Sequence, residues 1–495
     1  MVKPQRRPLF AILALSLVGG CAVGPNFKTP AAPAATTYTD HPLSTTAATP
    51  GIAGGEAQHF TDSDIPADWW TLFHSKPLNT LIEQALANNA DLKAAQAALK
   101  VARENTLAQH GAFVPHVSAG LAVSREQDPP GALAPVPSDN SFLYNLFTPQ
   151  LSISYAPDIF GLNRRTAESA AAQEQAVRFQ MIAAHITLSS NVAVAAIQDA
   201  SLEAQVDATR QLVDINRKML DILKYQVGKG SASGVDLAAQ QAQLASTEAS
   251  LPPLLKQLSQ QRNLLSVLSG RLPNQAPPEV FELASLTLPQ DLPVSLPSVL
   301  VRQRPDVLQA EANMRAANGQ VGVATANRLP NITLTANAGS TALEIGQVFG
   351  PGTGFWNIGA SLLAPIFDGG TLLHQQRGAR AAYVQTAEQY RSTVLTAFQN
   401  VADTLVALEQ DADGLKASAA AADAAKTSLD LAQRQYKDGY VGYLAVLTAE
   451  QAYQQARIAL VQAQASRFSD TAALFQALGG GWWHRTDLNA GDHAQ

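Results

Sequence analysis

The same arrangement of motifs occurs twice along the 495 residues, and this internal duplication constrains the fold more than any other feature. A proline that closes a helix pattern occurs at Pro115 and again at Pro330. A Tyr-x-x-Gly motif at Tyr225 returns at Tyr436, and each copy precedes a helix pattern that ends in glycine. We therefore expect two copies of one repeat. The predicted segments are the first repeat at 69–270, a proline-rich linker at 271–296, the second repeat at 297–480 and a tail at 481–495.

Each repeat predicts, in order, a helix, two strands, a very long helix and another helix, which makes a mixed α/β fold. Apolar and polar residues alternate along the strands, and this indicates a sheet with one apolar and one polar face. The long helices are expected at about 162–227 and 370–438, and each would extend about 95–100 Å at the α-helical rise. The expected strands lie at about 117–124, 147–155, 331–340 and 354–363.

Both long helices carry heptad seams of small and apolar residues, a pattern typical of helices that pack closely along their length. The seam of the second helix runs from Val394 to Ala422. The seam of the first helix begins at Met181 and is interrupted by two polar residues, Asp199 and Asn216. His185 also falls on this seam, and we interpret it as a packed core histidine.

Four amphipathic strands are too few for a closed membrane barrel, which needs about eight or more. An open sheet in lipid would leave unpaired backbone edges. At least two chains must therefore share one barrel if the sheet spans a membrane. Two chains give eight strands and an interior filled by side chains, whereas three give twelve strands and room for a pore. Periodicity alone leaves an ordinary antiparallel sheet packed on helices as the alternative.

Composition excludes several classes of protein. The 34 basic and 40 acidic residues give a net charge of −6, which argues against a nucleic-acid-binding protein. A mean hydropathy of −0.02 argues against a bundle of membrane-spanning helices. One cysteine excludes an internal disulfide framework, and the nine histidines form no metal-binding pattern. We find no candidate catalytic, cofactor-binding or metal-ligating residue, and we expect no enzyme activity.

The N-terminus resembles the signal sequence of a bacterial lipoprotein. Basic residues precede an apolar run of signal-peptide length from Leu9 to Val18, and small residues lead into Cys21. The resemblance implies a signal peptide at 1–20, a lipid on Cys21 and an extended tether at 21–68. Ala22, rather than aspartate, follows the cysteine, and this favours the outer membrane over retention at the inner membrane. A plain signal peptide is the alternative.

Several longer motifs resemble those of the outer-membrane factor family, the TolC- and OprM-like exit ducts, and the lipoprotein branch called NodT-type in particular. They occur in the family's order and cover the chain from 18 to 480. The resemblance implies a homotrimer with a 12-stranded outer-membrane β-barrel and a periplasmic α-helical barrel. It further implies a passive duct that works with a periplasmic adaptor (a membrane fusion protein) and an inner-membrane pump of RND type. The motifs begin at Gly20-Cys21, Trp69-Trp70, Leu251-Pro252-Pro253, Arg304-Pro305-Asp306 and Pro365-Ile366-Phe367.

The resemblance also implies a periplasmic gate at the helix turns 227–235 and 438–445. Leu444 matches the gate leucine, whereas Thr448 stands where the family pattern Leu-x-x-Leu-Asp-Ala-Gln has an acid. Asp236 matches the acidic position of the first turn. Interhelical packing is the alternative role for Leu444, and a helix N-terminal acid is the alternative for Asp236. The turn glycines that fit adaptor docking are Gly228, Gly230, Gly439 and Gly442.

Within the duct class, the lipoprotein branch favours efflux of small molecules such as drugs and toxic organic compounds. Type I protein secretion is an alternative use of such a duct. A non-conducting structural lipoprotein of the envelope is a second alternative, although it would not need amphipathic strand pairs.

Overall fold

The computed structural model describes residues 22–41, 45–131, 142–275 and 281–489. The predicted signal peptide, Cys21 and residues 490–495 of the predicted tail therefore lie outside the described residues. The chain divides into two compact units, which we call the strand unit and the helical unit. Within the described residues, the strand unit comprises 22–30, 99–177 and 310–390, and the helical unit comprises 31–98, 178–309 and 391–489.

Helices and strands follow the same order in both halves of the chain, so the fold is mixed helix and sheet with an internal repeat. The first half contains β1 (His59–Thr61), α1 (Lys76–Asn88), α2 (Ala90–His110), β2 (His116–Gln127), β3 (Leu143–Tyr155), α3 (Leu162–Gly228) and α4 (Gly234–Leu268). The second half contains β4 (Asp291–Pro293), α5 (Pro297–Gln303), α6 (Pro305–Ala326), β5 (Asn331–Ser340), β6 (Gly354–Leu363), α7 (Thr371–Lys437), α8 (Tyr443–Ala477) and the short α9 (Thr486–Asn489).

The strand unit contains one antiparallel sheet of four strands in the order β2-β3-β5-β6. The first two strands are longer than their alternating pattern predicts, because the pairing of β2 with β3 continues to Gln127 opposite Leu143. Strands β3 and β5 come from different repeats and join the two halves of the sheet. Strands β2 and β6 form its outer edges, so within the described chain each has a partner on one side only.

Register places apolar side chains of neighbouring strands on one face of this sheet. Ile153 lies opposite Ala336, which in turn lies opposite Ile358, and Ala338 lies opposite Trp356. This face is bare in the single chain, since Trp356 is 75% exposed and Ile358 is 78% exposed. The opposite face is polar, and Asn337 there donates to Asn357 Oδ1 at 2.9 Å.

The heptad seams of both long helices are buried in the helical unit, from Leu188 to Leu220 in α3 and from Val394 to Ala422 in α7. The polar interruption at Asp199 forms an ion pair of 3.4 Å with Arg262 of α4. Among the described helices, α3 alone is long and apolar enough to cross a membrane, but 67% of its most apolar window is buried. That degree of burial is typical of a core helix.

Distant parts of the sequence meet in the core of the helical unit. The ring of Trp69 stacks on Phe475 with centroids 5.2 Å apart, which places the Trp-Trp-x-x-Phe motif against α8. Strand β1 pairs in parallel with β4. Arg467 is fully buried and donates to the carbonyl oxygens of Leu408 at 2.8 Å and Gly54 at 3.3 Å. Its guanidinium thus fastens the segment before β1 onto α7 and α8.

Candidate functional site: the tip of the helical unit

Two turns, one in each repeat, close the helix pairs α3–α4 and α7–α8 with the same backbone geometry. In the first turn Gly230 has a φ of 73°, and Ser231 N donates to Gln226 O at 2.9 Å. In the second turn Gly439 has a φ of 80°, and Tyr440 N donates to Gln435 O at 2.8 Å. These positive φ values and closing bonds define a Schellman-type helix end, which favours glycine.

The other two predicted turn glycines have ordinary backbone angles. Gly228 is the last residue of α3, and Gly442 is the residue that caps α8, with a φ of −73°. Neither would place an added Cβ within 4 Å of another atom. Left-handed backbone geometry therefore favours glycine at Gly230 and Gly439. Gly228 and Gly442 have no such backbone requirement for glycine.

Asp236 is part of a capping box at the start of α4. Its backbone N–H donates to Ser233 Oγ at 3.1 Å, and its carboxylate accepts from Ser233 N at 3.3 Å and from Ser233 Oγ at 2.8 Å. Such reciprocal bonds satisfy donors that a helix N-terminus would otherwise leave free. The residue is half-buried, so it is still partly open to solvent in the single chain.

Leu444 and Thr448 lie four residues apart on one exposed face of α8. The Leu444 side chain is 73% exposed, an unusual environment for leucine in a helix whose opposite face is buried. The Thr448 hydroxyl donates to the Leu444 carbonyl oxygen at 2.9 Å. Neither the threonine nor the leucine provides a charge at this level of the tip.

The opposite face of α8 is buried against the other helices of the tip. Tyr443 and Val446 belong to an apolar cluster with Leu223 of α3 and Leu429 of α7. The ring of Tyr443 meets that of Tyr436 edge to face, with centroids 5.3 Å apart. Contacts between all four helices therefore determine the shape of the tip.

A polar network crosses this buried region and links α8 to α3 through α4. The Tyr443 hydroxyl donates to Gln240 Oε1, and Gln240 Nε2 donates to Asn216 O at 2.8 Å and to Asn216 Oδ1 at 2.9 Å. Burial raises the pKa of Tyr443, which is therefore a neutral donor at ordinary pH. The sequence signals this network only through Asn216, the polar interruption of the α3 seam.

Glu450 is a buried acid within the same tip and is only 2% exposed. Its Oε1 has no hydrogen-bond partner among the described residues. Burial raises the pKa of this carboxyl group from 4.5 to about 7, because the charged form loses its hydration. The family pattern places glutamine here, so the sequence combines an uncharged residue on the exposed face with an acid on the buried face.

Within the described part of the chain, no three His, Cys, Asp or Glu residues are grouped so that they could hold a metal ion. His185 is buried in the helical unit, and that burial lowers its pKa to about 4, so the ring is neutral at ordinary pH. Of the predicted site residues, Asp236, Leu444, Thr448 and the four glycines all belong to the tip, whereas Cys21 lies outside the described residues.

The repeat, the four-stranded sheet and the paired long helices define a class of outer-membrane channel. The chain belongs to the outer membrane efflux protein family, which matches residues 81–271 and 296–480. As the relatives in this family do, it resides in the bacterial outer membrane.

Individual relatives are similar over nearly their whole length. The pyoverdine export outer membrane protein OpmQ of Pseudomonas aeruginosa is 30% identical over 94% of this chain and 97% of its own. The toluene efflux pump outer membrane protein TtgC of Pseudomonas putida is 28% identical over 95% of this chain and 94% of its own. The solved MtrE outer membrane channel of Neisseria gonorrhoeae has a TM-score of 0.78 and 27% identity, covering 94% of this chain and 100% of that one.

Proposed function

We propose that three copies of this chain form a passive exit duct for small molecules, with a shared 12-stranded barrel in the outer membrane and a helical barrel in the periplasm. The bare four-stranded sheet carries this proposal. Its apolar face exposes Trp356 and Ile358, and strands β2 and β6 leave backbone donors and acceptors unpaired in the single chain. Pairing β6 of one chain with β2 of the next removes every open edge, and lipid covers the apolar face.

The polar face of the sheet then lines a water-filled pore. Asn337, Asn357 and Thr335 lie on that face, and none of them is charged. These uncharged groups offer hydrogen bonds to water, whereas Glu126 of β2 lies on the same face by register and adds one negative charge per chain. The four strands of each chain give twelve in the trimer, enough to leave an open interior.

The substrates proposed for this duct are small toxic or xenobiotic molecules. The names of the relatives OpmQ and TtgC describe pyoverdine export and toluene efflux, which supports small-molecule transport. We propose that a periplasmic adaptor docks on the tip turns around Gly230 and Gly439, and that an RND-type inner-membrane pump delivers the substrate. The chain itself acts as a conduit and has no enzymatic role.

The gate is assigned to the exposed face of α8. Three copies of Leu444 around the trimer axis would form an apolar constriction, and three copies of Thr448 one helical turn away would make the next ring uncharged. The exposed leucine supports this role, because packing within the chain leaves it 73% exposed. Asp236 contributes charge near the first turn while it caps α4.

We further propose that Cys21 carries the lipid of a bacterial lipoprotein. The apolar run and the small residues before Cys21 support this assignment. The lipid would add a second membrane attachment to the barrel.

Assembly and conductance test the duct proposal directly. Native mass spectrometry in mild detergent should give a trimer, and planar bilayers should record channels from that trimer. Arg125→Pro offers an edge-breaking variant. Asp128 N donates to Phe142 O across the β2–β3 pairing, so alternate residues such as Arg125 present their backbone N–H to the open edge of β2, and proline removes that donor. We expect this variant to lose trimers, whereas Ile345→Pro, at the first position of the short helical turn Ile345–Gln347 after β5, should retain more of them. A folded, stable wild-type monomer without channel activity would contradict the proposal.

A further inference from the structure

The segment that follows Cys21 is held tightly on the strand unit. Arg165 of α3 is 4% exposed, and its guanidinium donates to Val23 O at 3.0 Å and to Asn26 Oδ1 at 2.8 Å. Asn318 of α6 donates through its side-chain amide to Pro25 O at 2.9 Å. These bonds hold residues 23–26 against α3 and α6.

Ala22, the first residue of the segment, packs against the turn between β3 and α3. Val23 N donates to Phe160 O at 3.0 Å, in the turn between β3 and α3. An added Cβ on Gly161 would lie 2.6 Å from the Cβ of Ala22, so the absence of a side chain there allows Ala22 to approach. Gly161 also has a φ of 80°, a second reason why glycine suits this position.

A cavity of about 580 Å³ opens beside this same turn and lies wholly within the strand unit. Its volume falls within the range of about 300–1,000 Å³ that is typical of small-molecule pockets. Asp158 at its edge already accepts from Asn163 N and Arg164 N, both at 2.9 Å. The apolar side chains of the lining include Ile159, Phe160, Leu162, Leu329, Ile332 and Leu363.

We propose that this cavity binds one acyl chain of the lipid on Cys21 of the same molecule. The inference rests on the proposed lipidation. Ala22 lies against Gly161 in the turn that borders the cavity, and a lipid on the preceding residue is attached one peptide unit, about 3.8 Å, from Ala22. The lining suits a saturated hydrocarbon chain because most of its side chains are apolar. Asn163, Asn327 and Asn331 also line the cavity, and its one acidic side chain, Asp158, is bonded to the start of α3. Acyl binding here would stabilise the junction between the strand ends and the long helices.

Photo-crosslinking tests the occupant of the cavity. Cells grown with a diazirine-labelled fatty acid would incorporate the label into the Cys21 lipid and into membrane phospholipids. After irradiation of membranes, mass spectrometry would map the crosslinked peptides. We expect crosslinks from the Cys21 lipid to peptides 156–162 and 326–332 of the same chain. Crosslinks from the Cys21 lipid only to phospholipid or to other surfaces would overturn the proposal.

Two variants separate the possible sources of label. In Cys21→Ser the crosslinks at the cavity should disappear; if they persist, the occupant is a membrane phospholipid and the proposal is wrong. Ala156→Trp introduces a bulky side chain into the lining, and we expect several-fold fewer cavity crosslinks. Ala112→Trp is the matched control at an exposed residue outside the lining and should leave crosslinking unchanged.

Failure of the lipidation itself gives a different result. If wild-type Cys21 carries no label, the acyl-binding proposal is overturned together with the lipid anchor. Conductance of the purified trimer measures the duct proposal independently of both.

Discussion

The side-chain amide of Gln240 donates to both the backbone oxygen and the side-chain oxygen of Asn216, at 2.8 and 2.9 Å. This pair explains why the α3 seam contains a buried asparagine, since the partner on α4 satisfies it. The tyrosine hydroxyl of α8 joins the same network through Gln240. Helices from both repeats are therefore coupled at the tip by hydrogen bonds as well as by apolar contact.

The first prediction concerns that network. Gln240→Leu keeps side-chain volume but removes an acceptor from Tyr443 and a donor from Asn216. Buried groups left unpaired cost about 1–3 kcal/mol of stability, so the apparent melting temperature should fall. Gln241→Leu is the control, because that neighbour is exposed. Equal melting temperatures for the two variants would show that the network contributes little.

A second prediction concerns the apolar gate. In the proposed closed trimer, Leu444→Ala removes apolar groups that are buried only by contact across the axis and are worth about 0.8 kcal/mol each, so closure should lose a few kcal/mol over three chains. At about 1.4 kcal/mol per tenfold change, the open population should rise by roughly one to three powers of ten. Planar-bilayer conductance should increase, and cells should become more sensitive to large antibiotics. Leu395→Ala is the control at an exposed leucine of α7. Unchanged conductance in Leu444→Ala would assign the leucine to packing alone.

Divalent cations provide a third test. Thr448 is uncharged and exposed, so we expect weak block of the channel by divalent cations. Thr448→Asp would create a ring of three carboxylates in the trimer and should strengthen the block. Thr448→Asn controls for shape without charge. If the aspartate and asparagine variants respond alike to divalent cations, the position of Thr448 beside the pore is wrong.

The fourth prediction follows from the raised pKa of Glu450, about 7 in the folded chain against 4.5 as the ordinary value. Between these values the unfolded chain loses a proton that the folded chain retains, so the free energy of unfolding falls as pH rises from about 4.5 to about 7. Glu450→Gln has no carboxyl group to ionise at this position, so it avoids this loss of stability. Its free energy of unfolding above pH 7 should exceed that of the wild type by a few kcal/mol per chain.

Thermal unfolding of wild type and Glu450→Gln at pH 5 and pH 8 measures that difference. Both proteins must be compared, because burial and a neighbouring carboxyl group, Asp411, also raise the pKa of Asp470 to about 7. Asp470 therefore also makes the free energy of unfolding of the wild type fall as pH rises. Asp470 is unchanged in Glu450→Gln, so the difference between the two proteins isolates Glu450. Parallel pH profiles would exclude a buried, protonated Glu450 in the assembled protein.

A fifth prediction concerns the lipid anchor. Cys21→Ser should abolish labelling with palmitate, because it removes the only cysteine of the chain. The barrel itself spans the membrane in our proposal, so exported Cys21→Ser chains should still form conducting trimers. Labelling of the variant at the wild-type level would refute lipidation at this residue.

Periodicity was sufficient to predict the elements that rest on local patterns. The alternation in Asn331–Ser340 and Gly354–Leu363 predicted both strands of the second repeat at their observed limits, because each residue there faces one side of a regular ladder. The seams of α3 and α7 were predicted because small and apolar residues recur at heptad spacing along each helix. Strand β3 begins four residues before its predicted start, because pairing with β2 extends it through a stretch with weaker alternation.

Contacts between distant residues could not be predicted in this way. Nothing in the local sequence indicates that Glu450 is buried while Leu444, six residues earlier, is exposed, since both follow from the packing of four helices. The interaction of Arg165 with Val23 was equally inaccessible, because it joins residues 142 positions apart. The gate and docking roles come from family resemblance, and the channel experiments above test them.

The bond between Arg467 and Gly54 has a consequence for the order in which the protein can fold. These residues are 413 positions apart, and β1 must likewise wait for β4 before it can pair. Contacts at such separation form late, because the intervening chain must first be available and brought together. The helical unit therefore cannot complete its core until nearly the entire polypeptide has been exported. During that interval its apolar seams are exposed, so a chain truncated before Arg467 should be a preferred target for periplasmic proteases and chaperones.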